Sequence, residues 1–312
     1  MSERILEIII PDDAYSVRLD RYLSSRFDYM SRSSWQREIE SGKITLNGTV
    51  DTNPARKVKG KDHIAYDGKG IEERPVDDEI EILYEDEQII ALGKSGDLPV
   101  HPAGRYFNNT LTMIMEKRLG RKIYPVHRLD RETSGVILST FNTDDVSSFA
   151  SALQSGMKEY LALVYGDFPE GEMVIDLPIG PDEKSVIKKK RKAFPGAGES
   201  AETIFRLERR LDGFSLVRAF PQTGRLHQIR VHLLAAGFPI VGDKLYCMDD
   251  NLFLEFIKGG MTDSLAARLI LPRSALHAER ITFIHPVTKK EMIIVSPLPR
   301  MFTDFIERRN HG

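Results

Sequence analysis

His127-Arg128-Leu129-Asp130-Arg131-Glu132-Thr133-Ser134-Gly135 is a dense charged run set directly against the apolar Val136-Ile137-Leu138. Upstream, Pro125 biases Tyr124 toward extended backbone. Thr133-Ser134-Gly135 carries turn chemistry, with a glycine free to take positive φ. The apolar run that follows has the length of a buried strand. The charges therefore sit on a loop that leads into a core strand. Asp130 lies between Arg128 and Arg131, and neighbouring cations favour the ionised carboxylate. A carboxylate held in this way can serve as nucleophile, base or metal ligand. It can equally be one member of a surface ion-pair network.

The 312 residues suffice for two domains with at least one large core. The lone Cys247 excludes an internal disulfide framework and a cysteine zinc site. It fits a reducing, cytoplasmic compartment. No apolar run has the length of a membrane span, and the N-terminus lacks a signal-peptide pattern. The net charge of -2 does not announce a nucleic-acid partner, so any such binding rests on local basic patches.

Outward to the N-terminus, Ile5 to Ile10 reads as a strand and Val17 to Phe27 as a helix with Leu19, Leu23 and Phe27 on one face. Ser33-Ser34-Trp35-Gln36 matches a capping box, with Ser33 as N-cap, Gln36 reaching back and Gly42 ending the helix. Ile44 and Leu46 alternate with polar neighbours, Asn47-Gly48 marks a hairpin, and residues 62–66 read as a closing strand. Helix, cap, glycine stop and NG turn in this order resemble the S-four-like RNA-binding domain, a small α/β module, over residues 16–67. That resemblance implies a domain over residues 1–67 whose Arg32, Ser33, Arg37, Lys43 and Asn47 are candidate phosphate contacts. Residues 68–78 read as a linker, rich in Gly, Pro and charge, before a second domain at 79–312.

In that second domain, strands are expected at Glu79 to Leu83, Gln88 to Leu92, Lys158 to Val164, Ser200 to Leu211 and Phe214 to Phe220. Asp212-Gly213 joins the last two as a hairpin, and Ile281 to Ile284 with Glu291 to Val295 forms another. Helices are expected at Leu111 to Leu119, from Thr143 to a stop at Gly156, at Arg225 to Ala236, and at the C-terminus. Many strands with hairpin links and scattered helices predict an α+β fold: a large mixed, mostly antiparallel sheet flanked by helices. No glycine-rich phosphate loop appears, which disfavours nucleotide-cofactor enzymes. Lys188, Lys189, Lys190, Arg191 and Lys192 form a flexible basic loop, a candidate phosphate-binding arm.

HRLDRETSG, Lys158 to Gly166, TGRLHQIRVHL at 223–233, Gly242 to Tyr246 and Leu276-His277-Ala278 follow one another behind the N-terminal module. The set resembles the Rlu-type pseudouridine synthases, and the resemblance covers nearly the whole chain. It implies an isomerase that modifies RNA, ribosomal RNA first and transfer RNA second, with no cofactor, no metal and no membrane partner. A monomer is the expectation. By the resemblance Asp130 is the essential carboxylate, Arg225 its partner arginine and Tyr160 the pocket tyrosine stacking on a flipped base. Arg128 would fill the gap that the base leaves in the RNA. Attack on the sugar, addition to the base and removal of a ribose proton all stay open for Asp130. The rival readings are a silent RNA-binding protein on the same scaffold and a metal-dependent hydrolase. His127, His227 and His232 read as structural hydrogen-bonders, since His227 and His232 are five apart and not at the i, i+4 spacing of a metal pair. Two departures stand out: Gly93-Lys94-Ser95 where the family has Asn-Lys-Pro, and Ser139-Thr140 where it has Ala-Lys.

Overall fold

The computed structural model describes residues 5–11, 16–27, 30–67, 73–102, 106, 108–196, 198–247 and 249–310. Residues 68–72, the start of the expected linker, lie outside them. Contacts divide the chain into two units, Met1–Val76 with His101–Gly120, and Asp77–Val100 with Arg121–Gly312. The segment 101–120, expected in the second domain, thus packs with the first. Glu73 shows how: its carboxylate accepts the backbone N–H groups of Asn108 and Asn109 at 3.0 and 2.9 Å.

The first unit comprises β1 (Ile5–Ile9), β2 (Val17–Arg18), α1 (Leu19–Arg26), α2 (Arg32–Glu40), β3 (Ile44–Leu46), β4 (Thr49–Val50), β5 (Lys57–Val58), β6 (His63–Asp67) and α3 (Leu111–Leu119). A four-stranded sheet runs β1-β6-β3-β4. Leu19, Leu23, Trp35, Ile39, Ile44, Ile64 and Tyr66 form its core, Trp35 and Tyr66 meeting edge-on at 5.1 Å. Asn47 and Gly48 take φ of 52° and 81°, the left-handed pair that a two-residue hairpin needs. The helix cap differs from expectation. Ser31, not Ser33, is the N-cap of α2 and accepts the Ser34 N–H at 3.1 Å. Gln36 does not reach back; its amide donates to the buried Asp20 carboxylate at 2.7 Å. A buried carboxylate draws every donor in reach, which outcompetes a local cap.

The second unit comprises β7 (Ile80–Glu85), β8 (Ile89–Lys94), β9 (Tyr124–Pro125), β10 (Ser134–Thr140), α4 (Thr143–Ser155), β11 (Met157–Tyr165), β12 (Glu172–Asp176), β13 (Ile179–Pro181), β14 (Arg191–Ala193), β15 (Glu202–Leu211), β16 (Phe214–Pro221), α5 (Gln228–Ala235), α6 (Asp250–Gly259), α7 (Asp263–Leu269), β17 (Leu276–Ile284), β18 (Glu291–Val295) and α8 (Arg300–Asn310). Its large sheet runs β12-β15-β16-β11-β17-β10-β8-β7, with β18 added to β17 and β9 to β10. Pairings are antiparallel except β10 with β17, so the sheet is mixed and mostly antiparallel as expected. Every residue of β10 is buried, which explains why its sequence runs apolar without alternation. One core joins β11, β15 and β16 to Leu233 of α5 and Phe302 of α8; another packs Phe149 and Leu153 of α4 on Val136 and Leu138.

Gly135 opens β10 at the parallel junction. Its φ is +115°, and a Cβ there would stand 2.1 Å from the Ala278 carbonyl oxygen. Only glycine allows β17 to come this close, and that approach fixes where the charged loop ends.

Candidate active site

The loop 126–133 is anchored at both ends. At its start, the His127 Nε2 accepts the Leu138 N–H at 3.0 Å. Burial and the nearby Lys158 push the His127 pKa down to about 4, so the ring stays neutral and keeps its acceptor. At its end, Lys94 lies buried with its Nζ donating to the carbonyls of Ser95, Leu98 and Arg131 at 2.7, 2.9 and 3.0 Å. Burial and the charge of Arg273 bring its pKa down to about 7. Glu132, beyond Asp130, is clamped by Lys244 at 3.0 Å.

Held between these anchors, Asp130 sits on the wall of a cleft of about 590 Å³ with Arg128, Lys158, Tyr160, Arg225, His227 and Arg230. Its Oδ2 accepts a hydrogen bond from Arg230 Nη1 at 2.6 Å, while Oδ1 stands 3.8 Å from His227 Nε2. Burial alone would raise the Asp130 pKa, but the charge of Arg230 beside it outweighs that and holds it below the usual carboxylate range. Arg230 is shared: its Nε and Nη2 bond Asp243 at 2.6 and 2.8 Å in a fork. Asp243 also accepts the N–H groups of Leu245 and Tyr246, both at 3.0 Å, and the Ser274 hydroxyl at 3.1 Å. Burial opposes that charge, yet Arg230 and these donors bring the Asp243 pKa down to about 2. The guanidinium is further capped by the Tyr246 ring at 4.8 Å. Tyr160 is pushed up to about 12 by burial and by the charge of Asp130, so it presents a protonated phenol to the same cleft. The site thus offers an ionised carboxylate with one oxygen tied and one untied, a phenol that can donate, and a cationic rim.

Residues 88–235 match the family described as RNA pseudouridylate synthase. The ribosomal large subunit pseudouridine synthase D of Buchnera aphidicola subsp. Baizongia pistaciae is 32% identical over 303 residues, 94% of this chain and 93% of that protein. This chain belongs to the RNA pseudouridine synthases. The mitochondrial tRNA pseudouridine(32) synthase of Saccharomyces cerevisiae is 32% identical over 243 residues, 77% of this chain and 52% of that protein. Among solved structures, human RNA pseudouridylate synthase domain containing 4 superposes with a TM-score of 0.56 at 25% identity, covering 73% of this chain and 92% of that one. The synthase is accordingly an isomerase by family.

The pairing expected between Asp130 and Arg225 does not form. Arg225 lies on the rim with its Nε on the Ser200 carbonyl at 2.8 Å and its Nη1 on Glu199 at 2.9 Å. The reason is the start of α5. His227 takes φ +59°, which stops the helix short of Arg225, and Gln228 accepts the Arg225 N–H at 2.9 Å, holding it in the preceding turn. Arg230, in the first turn of the helix, is the cation that reaches Asp130. A signal for it was present: Arg230 stands between Ile229 and Val231 with Leu233 and Leu234 following, and a charge buried in such apolar company is paired.

The other expected residues separate. Arg128 is exposed at the cleft and Tyr160 lines it. Within the first unit, Arg32 is drawn onto Asp20 at 3.0 Å, Ser33 onto the Ser31 hydroxyl at 2.9 Å, and Lys43 onto Glu38 at 2.9 Å. Arg37 bonds the Ser34 hydroxyl at 3.3 Å. Asn47 serves the hairpin, donating to Asp62 at 3.0 Å and accepting the His63 N–H at 2.8 Å. The basic loop is a structured turn between β13 and β14: Ile187 and Lys190 are buried, while Lys188, Lys189 and Lys192 are exposed. His232 bonds Thr203 and the Leu177 carbonyl, as a structural histidine does. No three of His, Cys, Asp and Glu converge on a metal geometry among the described residues. Among the same residues no helix is long and apolar enough to cross a membrane. The two sequence departures fall at the end of β8, with Ser95 just beyond it, and on β10, and none of Gly93, Lys94, Ser95, Ser139 and Thr140 lines the cleft.

Proposed function

We propose that this synthase isomerises uridine to pseudouridine in large-subunit ribosomal RNA, with Asp130 as the reacting carboxylate. The observation that carries the reading is the ionised Asp130, tied by Arg230 through one oxygen only, in a cleft it shares with the protonated Tyr160. The target uridine leaves its stack to enter that cleft, at a cost of a few kcal/mol. Arg128, exposed at the mouth, takes the vacated place with its planar guanidinium. Tyr160 stacks on the extruded base, and its hydroxyl is available as a proton donor. The bond from the uracil nitrogen to the ribose breaks, the base turns, and a bond forms through carbon; the untied Oδ1 of Asp130 meets the nucleotide in this sequence of steps. Nothing is hydrolysed or reduced, so no cofactor enters. The first unit is proposed as an S-four-like RNA-binding module, and the exposed lysines 188, 189 and 192 as phosphate contacts beside the cleft.

The ribosomal substrate rests on the relatives named for the large subunit; the yeast mitochondrial relative makes transfer RNA the second reading. The test maps pseudouridines in total RNA from cells with the gene, without it, and with Asp130→Asn in its place. Loss of a large-subunit site in both altered strains supports the proposal, and loss confined to a transfer RNA replaces its substrate. A site fully modified by Asp130→Asn refutes the role of the carboxylate.

A further inference from the structure

The mechanism leaves His227, a largely buried titratable group on the wall of the cleft, unused. His227 stands beside Asp130 in a left-handed backbone conformation, which only a few per cent of non-glycine residues adopt, histidine more readily than most. Its Nδ1 lies 2.7 Å from the Tyr246 hydroxyl, and that same hydroxyl accepts the Arg191 backbone N–H at 3.0 Å. The Arg191 N–H can only donate. If His227 Nδ1 also donated, the fully buried Tyr246 hydroxyl hydrogen would lose its partner, and the Nε2 lone pair would face the Asp130 carboxylate. Both penalties vanish when Tyr246 donates to Nδ1. The proton of His227 is thereby assigned to Nε2, the nitrogen that stands 3.8 Å from Asp130 Oδ1.

We propose that His227, held as the Nε2–H tautomer by Tyr246, is a positioning residue for the untied oxygen of Asp130. Arg230 bonds Oδ2, and an N–H on the His227 side favours the rotamer that keeps Oδ1 toward it, which narrows the swing of the carboxylate about its last torsion while a nucleotide enters. The brace begins at Arg191, at the base of the basic turn: hydrogen bonds run from its N–H through Tyr246 to His227, and His227 then meets the carboxylate by charge across 3.8 Å. The inference rests on the reading of Asp130 as the reacting carboxylate.

The test measures single-turnover pseudouridine formation in total RNA purified from cells lacking the gene, over a range of enzyme concentrations. Tyr246→Phe keeps the ring over Arg230 and removes only the hydroxyl. His227→Ala and Tyr246→Phe are each expected to slow the maximal rate about tenfold or more, with the half-saturating enzyme concentration unchanged. The double variant should be no slower than the slower single one, and His227→Gln, which restores an N–H near Nε2, should recover part of the rate. A full rate for His227→Ala while Asp130→Asn is dead overturns the inference and leaves the function standing. Activity in Asp130→Asn overturns both. A shift in half-saturation alone makes His227 an RNA contact and overturns the positioning role, as does failure of the glutamine to recover rate. If His227→Ala does not fold, as judged by circular dichroism, Tyr246→Phe decides alone, and a full rate there overturns the proposal.

Discussion

Arg230 is where charge, burial and chemistry meet, because one guanidinium serves two carboxylates. Lysine would keep the charge but lose the fork on Asp243. Arg230→Lys is therefore expected to cut the maximal rate of pseudouridine formation by about 100-fold or more while circular dichroism stays that of a folded chain. Arg225→Ala, which removes a rim contact, should change the rate by less than about tenfold. An inverted result would restore Arg225 as the partner. The same pair governs acid stability. The Asp243 pKa is lowered from 3.8 to about 2, so its stabilising contribution is complete above 3.8 and is lost as pH falls through about 2. Asp243→Asn should cost on the order of 3 kcal/mol at neutral pH in urea unfolding. The gap between wild type and variant should close as pH drops through that window. Sequence placed Asp130 and Tyr160 on the cleft but assigned the wrong arginine. Charge is visible in a sequence, whereas the residue at which a helix begins depends on a single left-handed φ at His227.

Elements with strong period were legible: β10, β11, β15, β16 and α4 fall where their apolar patterns put them. Helices α6 and α7 went unread although Asp249 and Thr262 cap them and Leu252, Phe253, Phe256, Leu265 and Leu269 recur at helical spacing. Strands β13 and β14 are three residues each, too short for any period to show. The junction of β10 with β17 could be marked in sequence only as a glycine in turn chemistry; that the glycine admits a neighbouring strand is a fact of three dimensions. Gly135→Ala would drive its Cβ toward the Ala278 oxygen, 2.1 Å off, at a φ of +115°. A loss on the order of 3 kcal/mol is expected, read as a melting temperature lower by several degrees. Because Gly135 ends the loop bearing Asp130, the folded fraction should also turn over more slowly. A variant as stable and active as wild type would show that β17 yields without consequence.

At the scale of the whole molecule, a chain of net charge -2 must bind a polyanion through local concentration of charge. Truncating residues 1–76 is not a clean way to find where, because Asn108 and Asn109 depend on Glu73 for their bonds. Charge removal on the surface disturbs less. Many basic groups of the first unit are already drawn into internal pairs, Arg32 with Asp20 and Lys43 with Glu38. The turn between β13 and β14 is different in kind: Ile187 anchors it in a core with Tyr246 and Phe253, and Lys188 and Lys189 of the turn and Lys192 of β14 remain at the surface, the Lys189 Nζ resting 4.4 Å from the Phe253 ring. A rigid base with exposed cations loses little entropy on meeting a phosphate. Replacing these three lysines with alanine removes up to three phosphate contacts, and each contact releases counterions from RNA. The slope of log affinity against log salt should therefore become shallower by roughly 2, with affinity falling most at low salt. The maximal single-turnover rate should fall by less than about tenfold, because Lys190 and the Arg191 N–H that supports Tyr246 are untouched and Lys189 reaches His227 and Asp130 through its charge alone. Filter binding across a salt series checks the slope. An unchanged slope would place the RNA backbone elsewhere on the molecule, and a fall in maximal rate at unchanged slope would make the turn part of the cleft and not of the grip.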